Sequence, residues 1–158
     1  KLLGAQILGP GAVDKLADIA VTAISLGASV DQLATLDFAY APPFSTAIHP
    51  FAHAVDVLLN KLDGAMDSMT PAEYAQGGAD GYEIVDCALQ PSLEGRRYLD
   101  LTRISGPVEG FGRDDRLLLV CTKGKRAYLT QNRLKYYGYA NTRVLEGGAS
   151  FTEIGDGE

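Results

Sequence analysis

The sequence predicts an α/β fold whose main unit is a parallel sheet flanked by helices, and three stretches carry that expectation. Leu117-Leu118-Leu119-Val120 is a continuous apolar run of the kind found in a strand buried on both faces of a parallel sheet. Arg126 to Tyr137 reads as a helix, with Ala127, Thr130, Leu134 and Tyr137 at three- and four-residue spacings and Gly138 placed to cap it. Thr70-Pro71-Ala72-Glu73 has the form of a capping box with proline at the first helical position, so a helix opens this unit until Gly77-Gly78 stops it.

The first part of the chain has a different character. Lys1 to Gly9 is a short apolar segment, after which Val13, Leu16, Ala20, Ala23 and Ile24 mark one face of a helix bounded by Gly11 and Gly27. Asp31 to Leu36 follows, and the paired prolines of Tyr40-Ala41-Pro42-Pro43-Phe44-Ser45 break regular structure because they fix φ and remove backbone donors. A further helix begins near Pro50 and runs to about Leu62. The polar, small-residue stretch 63–69 reads as a linker, which gives units at 1–62 and 70–158.

Chemistry concentrates where the apolar strand ends. Cys121 stands at its carboxyl end, followed by Thr122, Lys123, Gly124, Lys125 and Arg126. Loop amides and the positive end of the following helix can converge on the sulfur and favour the thiolate, Gly124 allows a positive φ, and three cations adjoin the site. The bland alternative is a buried core thiol, against which those cations argue.

The run Cys121-x-x-Gly124-x-Arg126 resembles the active-site loop of the rhodanese family, sulfurtransferases that carry sulfur as a cysteine persulfide. Gly138-Tyr139, Thr142-Arg143-Val144-Leu145 and Gly147-Gly148 match the turn, strand and double glycine that follow in that family, and the resemblance spans roughly residues 70–154. Four residues separate Cys121 from Arg126, one fewer than in the related cysteine phosphatases and arsenate reductases. The resemblance implies Cys121 and Arg126 as catalytic residues, with Thr122, Lys123, Gly124, Lys125 and Asp86 binding substrate. It also implies a sulfane sulfur donor and a thiol acceptor as partners. The family's Asp-x-Arg sequence is incomplete: Asp86 is present at the end of a strand over Glu83-Ile84-Val85-Asp86, but Cys87-Ala88 follows it. Arg96 and Arg97 are the arginines left to replace the lost one.

Leu3-Gly4-Ala5-Gln6-Ile7-Leu8-Gly9, the small-residue helix, Leu36-Asp37 and Tyr40 to Ser45 together resemble the C-terminal dimerisation domain of FAD-dependent pyridine nucleotide-disulfide oxidoreductases. The similarity is to the coenzyme A-disulfide reductase and NADH oxidase branch. It makes residues 1–62 a truncated α+β dimerisation segment and the chain a fragment of a reductase–rhodanese fusion, in keeping with Lys1 in place of an initiator methionine. FAD, NAD(P)H and coenzyme A are implied for the longer protein, together with its FAD/NAD domains and a homodimer. No Gly-x-Gly-x-x-Gly turn opens a βαβ unit here, so no cofactor is expected on this fragment. The competing reading is a non-catalytic docking or dimerisation module of the same reductase.

Composition bounds the remaining classes. A formal net charge of −6 argues against nucleic acid or an anionic membrane as partner, and no apolar run is long enough to span a bilayer. Two cysteines and no visible secretory signal point to the cytoplasm. Cys87 either packs as a core thiol or approaches Cys121 to resolve a persulfide. His49 and His53, four apart, lack further ligands, so no metal is expected. Tyr136, Tyr137 and Tyr139 read as packing residues.

Overall fold

The computed structural model describes residues 1–155, and the chain divides into two compact units, Lys1–Asp63 and a second from Gly64 onward. The first holds three helices, α1 (Val13–Ser25), α2 (Val30–Ala34) and α3 (Pro50–Leu62). Their apolar faces meet in a cluster of Ala20, Ala23, Val30, Leu33, Phe51 and Val55. Ser29 and Gln32 form a reciprocal capping box at α2, and the His49 ring accepts the Phe51 N–H at the start of α3, whose first residue is Pro50. The α+β character expected of this segment is corrected by the structure, since Lys1–Asp63 contains no strand among the described residues. Leu2 N–H donates to Ala28 O at 2.9 Å, but no neighbouring strand offers residues 1–9 a ladder.

The second unit is a five-stranded, wholly parallel sheet in the order β1-β5-β4-β2-β3, built from β1 (Ser68–Met69), β2 (Glu83–Asp86), β3 (Arg97–Tyr98), β4 (Leu117–Val120) and β5 (Thr142–Leu145). All four pairings are parallel. α4 (Pro71–Ala75) follows β1, and α5 (Lys125–Tyr136) connects β4 to β5. The stretch read as a linker therefore ends too late: Ser68 and Met69 are a strand, in register with Val144 and Leu145. Two residues are too few to show a hydrophobic period, which is why the sequence concealed them.

Pleating sorts the side chains of β4 onto two faces. Leu117 and Leu119 join Val85, Val144, Ala127 and Leu134 beneath α5, while Leu118 and Val120 join Met69, Ile84 and Leu145 on the other face. All four residues of β4 are fully buried. At the far end of α5, Gly138 N–H donates to Lys135 O and Tyr139 N–H to Leu134 O, with Gly138 at φ 90°, a Schellman cap that turns the chain toward β5. Buried Gln131 ties α5 to the sheet edge: its amide donates to Asp67 O (2.8 Å) and Thr142 O (2.7 Å) and accepts from Asp67 N–H (3.2 Å).

Candidate active site

Cys121 lies one residue beyond β4, where the chain leaves the sheet and turns into α5. Helix α5 starts at Lys125, with Gly124 as its N-cap at φ 89°, one residue earlier than the sequence suggested. Glycine has no side chain to cap the helix, so its first-turn amides need another acceptor. The Cys121 sulfur supplies it: Gly124 N–H lies 3.2 Å and Ala127 N–H 3.4 Å from Sγ. Two backbone donors thus point at the sulfur from the amino end of α5. Cys121 itself is only 4% exposed. Thr122, Lys123 and Lys125 are exposed at the rim, while Gly124 is buried.

A second loop fixes the first. Ala149 N–H donates to Cys121 O (3.0 Å) and Ser150 N–H to Thr122 O (2.9 Å). A Cβ on Gly148 would stand 1.9 Å from Cys121 O, so the approach of these backbones is open only to glycine. The double glycine that the sequence offered as a signature is thus a buttress for the cysteine loop.

Arg126 is held sideways. Its Nε donates to Ala88 O (3.1 Å), and its Nη2 pairs with Asp100 at 2.8 Å. Asp100 also accepts the Thr102 N–H at 2.9 Å. Thr102, first through its amide, and then the charges of Arg126 and Arg103 hold the Asp100 carboxyl below the usual carboxylate range. Asp100 escaped the sequence reading, although an aspartate two residues before a threonine amide is a local capping pattern.

Asp86 does not line an opening. Its carboxylate is fully buried and accepts from Ala88 N–H, Ser92 N–H, the Ser92 hydroxyl and Leu93 N–H. Both oxygens are engaged by the loop after β2, the loop that presents Ala88 O to Arg126. Arg97 pairs with Glu83, donates to Gly110 O and lies 3.8 Å over the Phe111 ring, while Arg96 donates to Gly155 O at 2.7 Å.

Cys87 is fully buried and, like Cys121, is a free thiol. Burial pushes its thiol up to about 12. Its Sγ lies 3.7 Å from Val85 O. His49, besides capping α3, stacks on Phe38 with centroids 4.4 Å apart. Tyr139 is buried, its hydroxyl accepting Val108 N–H and reaching Phe111 O, as a packing residue would. No group of three or more metal-ligating side chains occurs among the described residues.

A parallel sheet whose central strand delivers a cysteine to a helix amino end is matched by a family model: residues 52–150 fit the rhodanese-like domain. The chain belongs to the rhodanese-like family. The match begins inside α3 and takes in the whole sheet. Among solved structures, the NAD-dependent persulfide reductase of A. fulgidus is 32% identical over 90% of this chain, with a TM-score of 0.76. The reduced CoADR-RHD of Bacillus anthracis is 26% identical over 87%, also with a TM-score of 0.76. This rhodanese-like chain spans about a quarter, 26%, of each of those longer chains. No curated protein matches it. No helix among the described residues is long and apolar enough to cross a membrane.

Proposed function

We propose that this rhodanese-like domain carries sulfane sulfur as a persulfide on Cys121. The observation that supports this most directly is the placement of the Cys121 sulfur under the Gly124 and Ala127 amides at the start of α5. The Cys121 thiolate attacks the outer sulfur of a sulfane donor, a sulfur–sulfur bond forms on Cys121, and the donor leaves as a thiolate or sulfite. An acceptor thiolate then attacks that outer sulfur and restores the Cys121 thiolate. The amides stabilise negative charge in both steps. Lys123 and Lys125 attract anionic donors, Thr122 and Gly124 line the loop, and Arg126 positions it through Asp100 and Ala88.

The domain serves a flavin-dependent reductase of coenzyme A-disulfide, persulfide or polysulfide. Similarity to the A. fulgidus persulfide reductase supports that setting, since it extends over 90% of the chain and so includes much of the first unit. In this reading residues 1–62 are part of a dimerisation domain, the FAD/NAD domains belong to the same polypeptide, and the protein is a homodimer in the reducing cytoplasm. FAD, NAD(P)H and coenzyme A belong to those other domains.

Mass spectrometry after incubation with polysulfide or thiosulfate tests the central step. One added sulfur on Cys121 is expected, and its absence with every donor rejects sulfur carriage. The near-complete cover of Cys121 and the engagement of Arg126 by Asp100 favour the second reading, a docking module. Unchanged sulfur turnover by the full-length protein after Cys121→Ser favours docking.

A further inference from the structure

The two cysteines stand side by side. β2 and β4 pair in register through Asp86↔Val120, and Cys87 N–H continues the ladder by donating to Val120 O, which sets Cys87 beside Cys121 one residue later. Both lie on the α5 face of the sheet, in the cluster with Val85, Leu117, Leu119 and Ala127. Adjacent in-register strands are about 4.8 Å apart, inside the range of about 4.4–6.8 Å between Cα atoms joined by a disulfide. Each cysteine follows its strand by one residue, at the point where the backbone passes into a loop.

We infer that Cys87 is a resolving thiol that discharges the Cys121 persulfide as hydrosulfide and leaves a Cys87–Cys121 disulfide. The inference rests on the sulfur-carrying reading of Cys121. Cys87 Sγ attacks Cys121 Sγ, the bond to the outer sulfur breaks, and that sulfur departs with the electron pair and the Cys87 proton. Cys87 is oxidised, the outer sulfur is reduced from sulfane to sulfide, and no further oxidant enters. A buried, protonated thiol is a slow nucleophile, so resolution loses to an acceptor thiol when one is present and proceeds when none is. A bridge between neighbouring parallel strands is strained, hence readily reopened by a small thiol.

The test loads the full 158-residue chain with sodium polysulfide, removes excess reagent and follows intact mass without any added thiol. The wild-type chain is expected to gain one sulfur, then lose it as free hydrosulfide and finish two hydrogens lighter than the reduced protein, with a Cys87–Cys121 cross-linked peptide. Cys87→Ser and Cys87→Ala are both expected to gain the sulfur and keep it. Wild type and both variants retaining sulfur equally long, with no cross-linked peptide, overturns the inference while leaving sulfur carriage intact. Failure of all three to gain sulfur marks instead the failure of the sulfur-carrying reading, and the resolving step falls with it.

Discussion

Cys87 and Cys121 are neighbours of one residue type in opposite surroundings. Cys121 receives two amide hydrogen bonds, whereas Cys87 is enclosed by the sheet and by α5. Burial raises the Cys87 thiol from an ordinary 9.0 to about 12, so the folded chain holds this proton more tightly than the unfolded chain. The stabilisation is fully present below pH 9 and is lost as pH rises toward 12. Denaturant titrations are expected to show wild type losing stability across that interval more steeply than Cys87→Ala. Equal slopes would contradict the burial effect. At Gly148 the limit is steric. Gly148→Ala forces the Cys121 carbonyl away from a Cβ that would stand 1.9 Å from it, and persulfide loading is expected to fall by about 100-fold, read by the rate of mass gain.

At the scale of elements, the sheet centre carries most of the stability. Leu119 is fully buried under α5, so Leu119→Ala is expected to cost about 2–5 kcal/mol in a chemical denaturation curve. β4 and the three longer helices were legible because each has an apolar run, a helical period or a capping signal of its own, whereas β2 and β5 were marked only by the resemblance to the rhodanese family. β1 and β3 were not, since each has two residues and exists only through pairing with β5 or β2. The same division runs through the site. Cys121 and its glycine-bearing loop are a local pattern, whereas the Asp100 pair with Arg126 joins residues from separate parts of the chain. The surroundings of Asp86 were hidden for a related reason: its place at a strand end shows in the sequence, and only the folded loop brings four donors onto it.

At the scale of the molecule, each unit has a hydrophobic cluster of its own. The stretch from Gly64 onward, expressed alone, is therefore expected to fold and to load sulfur at the rate of the full chain, as circular dichroism and intact mass would record. Loss of cooperative unfolding in that shortened chain would show that the helices of the first unit are required. The family match beginning at residue 52 makes the experiment informative, because it leaves α3 outside the shortened chain.

β4 alternates between two faces, with Leu117 and Leu119 beneath α5 and Leu118 and Val120 turned away, and Cys121, the next residue, continues the alternation on the α5 face. The facing of Cys121 is consequently fixed by parity, an odd-numbered place on the pleat. Inserting a single alanine after Leu118 would invert the downstream half of the strand and strand the thiol among the neighbours of Met69, out of reach of the helix dipole. A two-alanine insertion would restore its facing, so counting residues, more than naming them, decides whether this sulfur meets the helix amino end.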